Sequence, residues 1–199
     1  MVKYRIAISG KMNCGKNTIA EMFADNLKFI GSKEKIAAVA DPIKQIIKSI
    51  FPEAKDECLY GRSELRSTII NEKYKDLDGN FLTYRKALVD LGAFGRKYYG
   101  DIWLNLLVND GNKDNEFDTY IISDVRFINE FNYLKNAGFT MVRIIRNNKD
   151  QINDVSELEQ DSIPDSEFDY VVVNDGSIEL LKEEVDKLTT IILFESGDP

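Results

Sequence analysis

The chain has 199 residues, 43% of them apolar and 30% charged, which is enough to bury the core of one ordinary globular domain. Its 26 Lys and Arg residues against 34 Asp and Glu residues give a formal net charge of −8, and so acidic a surface argues against general nucleic-acid binding. The chain contains no His, which excludes Ser/His/Asp and Cys/His catalytic triads and removes the commonest zinc and haem ligand.

Cysteine usage and hydropathy indicate the cellular compartment. Cys14 and Cys58 are far apart and form no CxxC motif, which argues against a zinc site or a disulfide framework and predicts two free thiols. No stretch approaches the roughly 18 apolar residues of a membrane span, and the first residues lead into a strand without the apolar core of a signal peptide. We expect a cytoplasmic protein that acts on neither membranes nor nucleic acids.

The chain opens with a strand, a glycine-containing loop and a helix. Apolar residues alternate with polar ones from Val2 to Ile8, which predicts a strand that ends at Gly10. From Thr18 to Ile30 the apolar residues recur every three or four positions, the period of one helix face, and we expect Gly31 to end this helix.

A second strand and a helical segment follow. Residues 35–40 predict a short strand, after which we expect Asp41 to cap a helix and Pro42 to occupy its first position. Residues 51–110 have helical patterns rather than strand alternation, with a turn at residues 76–80. The apolar positions expected beyond this turn are Leu88, Leu91 and Phe94. We interpret this segment as a helical insertion.

Further strands and helices complete the predicted fold. We expect strands at residues 119–123, 140–145 and 168–173, and helices over residues 128–137 and from Ser177 onward. The core-facing residues predicted for these helices are Ile128, Phe131, Leu134, Ile178, Leu181, Val185 and Leu188.

The order of these elements predicts the fold class. Parallel strands need crossover helices between them, so five strands separated by helical stretches predict a three-layer α/β fold with a five-stranded parallel sheet. We expect residues 1–199 to form a single domain, with the helical insertion at about residues 51–110.

The loop after the first strand contains a chemically specific motif. Residues 10–18 read GKMNCGKNT and match GxxxxGK between a strand and a helix, which is the setting of a phosphate-binding P-loop. Glycines let backbone amides surround phosphate oxygens, and Lys16 can bridge the β- and γ-phosphates. Asn17 replaces the Ser or Thr that holds Mg²⁺ in the strict motif, and Thr18 follows it. The alternative is a plain glycine-rich turn with a solvated lysine.

The strand predicted at residues 119–123 leads into Asp124 and Arg126. Ligands of parallel α/β sheets bind beyond the carboxyl ends of the strands, so Asp124 can reach a Mg²⁺ ion or a substrate hydroxyl and Arg126 can bind phosphate. The alternative is structural: Asp124 caps the following helix, and Arg126 pairs with Glu130 at helical spacing.

Several segments of the chain carry a family resemblance. ISGKMNCGKNTIA, ADPIK, ISDVRFINE, DVSELE and VVVNDGSIELL occur in this order over nearly the whole chain. The most specific are the P-loop, in which a residue other than Ser and then Thr follow the lysine, and DVRF-x-NE. Together they resemble the deoxynucleoside monophosphate kinases typical of bacteriophages. The resemblance implies a P-loop kinase fold that uses ATP and Mg²⁺ to phosphorylate deoxynucleoside monophosphates to diphosphates.

The resemblance also implies roles for individual residues. The ATP-binding residues would be Gly10, Lys11, Met12, Asn13, Cys14, Gly15, Lys16, Asn17 and Thr18, with Asn174 and Gly176 near the adenine. The catalytic residues would be Lys16, Asp124 and Arg126, and the Mg²⁺ ligands Asn17, Thr18 and Asp124. The acceptor nucleotide would contact Asp41, Arg126, Ser156 and Glu157. The family often has His two residues before the Ser, where this chain has Asp154. Asn174 and Gly176 fit an ordinary turn with a helix cap equally well.

Phosphoryl transfer requires more positive charge than one lysine, and this acidic chain must supply it from arginines. The candidates in the helical insertion and beside the fourth predicted strand are Arg62, Arg66, Arg85, Arg96, Arg143 and Arg146. Arg66 and Arg85 are our first candidates for phosphate contacts, because the corresponding region closes over the nucleotides in similar kinases. The alternative for each arginine is a solvated helix face.

Two other functions fit the same motifs. One is a P-loop kinase for another small acceptor, such as dephospho-CoA or phosphomevalonate, and the other is a nucleotide-binding regulatory protein with little turnover. Asp124 and Arg126 favour transfer, because nucleotide binding alone does not require a second phosphate-binding cluster. The kinase interpretation also allows a homodimer and, for a phage-encoded protein, action in the host cytoplasm.

Overall fold

A computed structural model describes residues 2–113, 116–146 and 159–196. Within these ranges the chain forms two compact units. The first, which we call the sheet unit, combines the described residues up to Val39 with those from Val108 onward, and the second, the helical unit, is Ala40–Leu107. The helical unit thus covers most of the predicted insertion and begins earlier; the single-domain organisation stays a prediction.

The sheet of the first unit is entirely parallel. Its strands within the described residues are β1 (Tyr4–Gly10), β2 (Glu34–Ala38), β3 (Thr119–Val125), β4 (Thr140–Ile145) and β5 (Tyr170–Val173), in the spatial order β2-β3-β1-β4-β5. The predicted five-stranded parallel sheet is therefore confirmed. The central strand β1 pairs with β3 on one side and β4 on the other, so its carboxyl end lies between theirs.

The α-helices within the described residues are α1 (Lys16–Phe29), α2 (Asp41–Ile50), α3 (Asp56–Tyr60), α4 (Tyr84–Tyr98), α5 (Ile102–Lys113), α6 (Ile128–Asn136) and α7 (Ile178–Glu195). Four of them, α1, α2, α6 and α7, begin within a few residues of the predicted positions, and the other three lie in the segment predicted to be helical. In the sheet unit, α1 and α7 pack together against the sheet through Phe23, Leu27, Val185 and other buried apolar residues. Burying these large side chains contributes about 1.5–3 kcal/mol each, which holds the helices on the sheet.

The helical unit has its own core around Tyr84 and Trp103, both at most 5% exposed. The hydroxyl of Tyr84 accepts a hydrogen bond from the backbone amide of Lys55 at 2.8 Å, and the indole of Trp103 donates one to the carbonyl of Gly92 at 3.0 Å. These two hydrogen bonds satisfy the buried polar atoms of both aromatic residues.

The predicted turn at residues 76–80 is confirmed, and isolated antiparallel bridges join the chain on either side of it.

Sequence predictions for five residues of the helices are wrong. Asp41 is the first residue of α2 rather than its cap, which is Ala40, so Pro42 is the second residue and not the first. Phe94 is 69% exposed, because the buried side of α4 includes the small residues Ala87 and Gly95 instead. Ile128 and Ile178 are 44% and 52% exposed, since each begins its helix and only later residues of α6 and α7 reach the core.

Two predictions of absence concern the described residues only. Neither cysteine forms a disulfide bond within the described residues, and both are buried. Across the ranges 2–113, 116–146 and 159–196, no helix has the length and hydropathy needed to span a membrane.

The close approach of Trp103 to α4 makes Gly95 a size-sensitive position of the helical unit. A methyl group at Gly95 would lie 2.1 Å from the indole, whereas one at Gly92 would meet the methyl end of Ile43 at 3.3 Å and the flexible guanidinium of Arg96 at 3.5 Å. We expect Gly95→Ala to lower the free energy of unfolding by about 1–3 kcal/mol through overpacking. Gly92→Ala, the matched control, should be near neutral because it gains helix propensity. Equal urea midpoints for the two variants would contradict the packing argument.

Candidate active site

The loop between β1 and α1 has the backbone of a tight anion-binding turn. Asn13 and Gly15 have positive φ angles of 61° and 105°, and Gly15 directly precedes the first residue of α1. At Gly10, a Cβ atom would lie 2.7 Å from the carbonyl oxygen of Ile144 and 2.6 Å from the sulfur of Cys14. Both glycines of the GxxxxGK motif are therefore required by the local geometry, one for close packing and one for its left-handed conformation.

Lys16 crosses this loop with its side chain. Its ammonium donates hydrogen bonds to the carbonyl oxygens of Gly10 at 2.6 Å and Lys11 at 2.9 Å, and it lies 3.4 Å from a carboxylate oxygen of Asp124. The residue is only 8% exposed. The alternative of a solvated lysine is therefore wrong, because the side chain of Lys16 turns back from the start of α1 toward the carbonyl groups of the loop.

A strand irregularity places Asp124 beside Lys16. The β1–β3 register shifts between Ala7 and Ser9, which pair with Ile122 and Val125, so β3 has one extra residue there. Asp124 lies in this bulge with a φ angle of 71°. Bulges redirect side chains, and a left-handed conformation at a residue other than glycine commonly marks a functional position.

Arg126 completes a cluster of three charged side chains. Its Nε donates a hydrogen bond to Asp124 at 2.8 Å, and the same carboxylate oxygen faces Lys16. The three residues that the sequence predicts as catalytic are therefore contiguous at the carboxyl ends of β1 and β3. Two cations around one carboxylate leave local positive charge next to the loop, which suits a bound phosphate.

The structural alternative for Asp124, in which it caps α6, is wrong. The carboxylate that caps the start of α6 belongs to Glu130, which accepts hydrogen bonds from the backbone amides of Arg126 at 2.8 Å and Phe127 at 3.1 Å. Glu130 is itself buried, and the DVRF-x-NE motif thus contains its own helix cap. Asp124 is left to interact with the charged side chains beside it.

The exit of β5 also reaches the phosphate loop. The side-chain amide of Asn174 donates a hydrogen bond to the carbonyl oxygen of Cys14 at 2.8 Å. Gly176, the other residue predicted near the adenine, is exposed. Lys11, also in this loop, forms an exposed ion pair with Asp161 at 2.8 Å. Sequence patterns gave no signal for either contact, because both partners are more than 100 residues away in the chain.

Asn17 and Thr18 present exposed side chains in the first turn of α1. No group of three or more His, Cys, Asp or Glu residues among the described residues could hold a metal ion by itself. Mg²⁺ at nucleotide sites usually takes one or two protein oxygens together with substrate phosphates and water. The carboxylate of Asp124 and the hydroxyl of Thr18 are oxygen donors of this kind, so the residues present fit Mg²⁺ bound with a nucleotide.

Asp41, one of the acceptor candidates, forms contacts within the helical unit. Asp41 binds the buried ammonium of Lys44 at 2.7 Å, and that ammonium lies over the ring of Tyr60, 4.9 Å from its centre. The pKa of Tyr60 is raised by partial burial and by the charges of Asp41 and Asp56. The sequence analysis missed Lys44, although its position three residues after Asp41 on a helix allows this pair.

The candidate arginines differ in their surroundings. Arg85 donates a hydrogen bond to the carbonyl of Ser63 at 2.9 Å, and the Nε of Arg66 is buried with no hydrogen-bond partner among the described residues. Arg143, in β4, binds Asp165 at 3.0 Å and two backbone carbonyls, which is a structural role. The predicted acceptor residues Ser156 and Glu157, and Asp154 beside them, lie outside the described residues.

Comparisons with known proteins agree with this geometry. A family profile of deoxynucleotide monophosphate kinases matches residues 89–185. A protein of Acanthamoeba polyphaga mimivirus with the provisional name deoxynucleotide monophosphate kinase is 32% identical over 187 residues, which cover 87% of this chain and 90% of the relative. The deoxynucleotide monophosphate kinase of Escherichia phage RB69 is 27% identical over 101 residues, 50% of this chain and 39% of that protein.

A solved structure shares the fold. The dephospho-CoA kinase from Campylobacter jejuni superposes with a TM-score of 0.50 at 14% identity, over 99% of each chain. At this identity the similarity shows the fold alone. It supports the three-layer P-loop kinase fold that the sequence predicts.

The burial of Lys16 changes what its removal should do. We expect Lys16→Met to lower kcat by about 10²–10³-fold, the loss typical of one preorganised charge-stabilising donor. Because the carbonyl oxygen of Gly10 loses its partner, the variant should also lose about 1–3 kcal/mol of unfolding free energy. Lys28→Met, an exposed lysine near the end of α1, is the matched control and should change neither quantity. Turnover by Lys16→Met at the rate of the control would remove Lys16 from the site.

Proposed function

The chain belongs to the deoxynucleotide monophosphate kinase family, and from that premise we propose that it transfers the γ-phosphoryl group of ATP to a deoxynucleoside monophosphate. The products are ADP and a deoxynucleoside diphosphate. The transfer is in line: the acceptor phosphate oxygen forms a bond to the γ-phosphorus while the bond to the β-γ bridging oxygen breaks. No covalent enzyme intermediate is needed.

The observation that carries this proposal is the cluster of Lys16, Asp124 and Arg126 next to the phosphate loop. Phosphoryl transfer demands little covalent chemistry from the protein and depends on positioning and on positive charge around the migrating group. Lys16 is held between two carbonyl oxygens and Asp124, so its charge is fixed before any nucleotide arrives. A protein that only bound a nucleotide would not need Arg126 in the same cluster.

We assign the nucleotide to the residues from Gly10 to Thr18, whose backbone amides would surround the phosphates. Lys16 would contact the β- and γ-phosphates, and Arg126 the transferring group or the acceptor phosphate. Mg²⁺ would be held by Asp124 and Thr18, with Asn17 as the alternative to Thr18. When bound, it neutralises charge on the phosphate oxygens and orients them.

We keep the predicted acceptor-binding residues as a proposal: Asp41, Arg66, Arg85, Arg126, Ser156 and Glu157. The buried Nε of Arg66, without a hydrogen-bond partner among the described residues, supports Arg66 most directly. A buried guanidinium nitrogen without an acceptor is costly, and a phosphate oxygen would satisfy it. Arg85 is partly engaged already by Ser63.

The location of the protein follows from the same proposal. Its substrates, ATP and deoxynucleoside monophosphates, are cytoplasmic, and the two named relatives are viral. We therefore place it in the cytoplasm, which for a virus-encoded protein is that of the host. A homodimer stays a prediction.

A second candidate function is a P-loop kinase for dephospho-CoA. The sequence motifs allow it, but the fold shared with the dephospho-CoA kinase, at 14% identity, is no evidence about the substrate. Phosphomevalonate as acceptor, and nucleotide binding without turnover, stay open on the sequence motifs alone.

A substrate panel tests the proposed reaction. ADP release would be measured with a coupled assay. We expect at least one of dAMP, dCMP, dGMP and dTMP to stimulate it, and neither dephospho-CoA nor phosphomevalonate to do so. Lys16→Met serves as the control for a contaminating kinase. Stimulation by dephospho-CoA alone would replace the proposal with the second candidate, and slow hydrolysis that no acceptor accelerates would indicate a regulatory protein.

The Mg²⁺ assignment gives a separate prediction. Thr18→Val keeps the shape of the side chain but removes its oxygen, so the Mg²⁺ concentration for half-maximal turnover should rise severalfold. Thr190→Val is the matched control, because its hydroxyl bonds the carbonyl of Asp186 on the exposed side of α7. An unchanged Mg²⁺ requirement in Thr18→Val would exclude this hydroxyl and leave Asn17 or water as the ligand.

A further inference from the structure

Asn174 holds the phosphate loop through its side chain. The residue follows the last position of β5, and its backbone amide donates a hydrogen bond to the carbonyl of Ile145 at 2.8 Å, which continues the β4–β5 pairing. Its position is therefore fixed by the sheet. From there its side-chain amide donates to the carbonyl oxygen of Cys14 at 2.8 Å.

The Cys14 carbonyl belongs to the same peptide unit as the amide of Gly15. The unit is trans, so its C=O and N–H groups point in opposite directions. A hydrogen bond that draws the carbonyl of Cys14 toward Asn174 therefore turns the Gly15 N–H to the other side. Within the described residues no hydrogen bond from this N–H is found, so it is available to a ligand.

Gly15 and Asn174 fit each other closely. A Cβ atom at Gly15 would lie 2.6 Å from the side-chain nitrogen of Asn174, closer than real Cβ contacts. The φ angle of 105° independently favours glycine at this position. The second glycine of the GxxxxGK motif thus leaves room for the amide of Asn174 as well as for the turn.

We propose that Asn174 is a positioning residue of the phosphate loop, which acts on the triphosphate by orienting the Cys14–Gly15 peptide rather than by contacting the adenine. The inference deepens the proposed function and rests on it for the identity of the nucleotide. It differs from the role that the family resemblance implies, because the side-chain nitrogen of Asn174 already donates to the loop, which leaves only the side-chain oxygen and the second N–H for a base.

Inorganic tripolyphosphate separates the two roles, since it has phosphates but no base. Isothermal titration calorimetry with the whole chain would measure the Kd of Mg²⁺-ATP and of Mg²⁺-tripolyphosphate. We expect Asn174→Ala to weaken both by the same factor, about 3- to 10-fold, the scale of one hydrogen bond. Asn174→Asp, which places a carboxylate oxygen against the Cys14 carbonyl, should weaken both further.

Control measurements distinguish positioning from a general loss of structure. Asn26→Ala removes a comparable side-chain amide, which bonds Asp186 at 2.8 Å, between α1 and α7 and away from the loop. It should leave both Kd values unchanged, and Asn174→Ala should have the same Tm as this control. In turnover, Asn174→Ala should raise the KM for ATP and leave the KM for the deoxynucleoside monophosphate unchanged.

Two results would overturn the inference. If Asn174→Ala weakens ATP but not tripolyphosphate, Asn174 contacts the base; if it weakens neither, the bond to Cys14 has no role in binding. A wild-type chain that binds both ligands but shows no acceptor-stimulated ADP release would refute the proposed kinase reaction, while the binding comparison still decides the role of Asn174. Failure of the wild-type chain to bind either ligand would overturn both.

Discussion

The parallel pairing of β1 with β3 and β4 is the constraint on which the candidate site depends. In a parallel sheet the carboxyl ends of neighbouring strands lie at one edge, and here that edge brings together Gly10, Asp124 and Asn174. These residues are separated by more than 100 positions or by whole helices in the chain, so only strand pairing makes them neighbours. The buried apolar side chains that hold α1 and α7 on the sheet keep this edge in register.

Charge is concentrated at that edge against an acidic background. The chain has a formal net charge of −8, yet two cations and one carboxylate meet beside the phosphate loop. Burying the ammonium of Lys16 would be costly without partners, and the carbonyls of Gly10 and Lys11 supply them. A preorganised charge needs little reorganisation when a phosphate binds, which is the physical basis of electrostatic catalysis.

Backbone irregularity in β3 and close packing at Gly15 also position the side chains around the phosphate loop. The extra residue in β3 costs regular hydrogen bonding but turns Asp124 toward Lys16, and the buried Glu130 caps α6 so that Asp124 is not needed there. On the other side of the loop, Asn174 occupies the space that the absent side chain of Gly15 leaves. Individual residues of the DVRF-x-NE and NDG segments, on which the family resemblance rests, thus have defined structural roles.

Periodicity and motif spacing were sufficient for much of the structure. The strand at Thr140–Ile145 agrees with its prediction residue for residue, and the phosphate loop lies between β1 and α1 as GxxxxGK requires. Phe94, Ile128 and Ile178 were misplaced, because apolar periodicity cannot tell a face packed through glycine, or a helix end, from an ordinary buried face.

The features of the candidate site also fall into those that the sequence determines and those that depend on the tertiary structure. The amino-acid sequence alone determined the strand and helix order, the glycines of the loop and the residue types of the charged cluster, since these follow from local preferences and short spacing. Only the tertiary structure decided that Lys16 is buried, that Asp124 sits in a bulge and that Asn174 bonds Cys14. Each of these depends on a contact between residues distant in the chain, and strand register, which no local pattern encodes, sets those contacts.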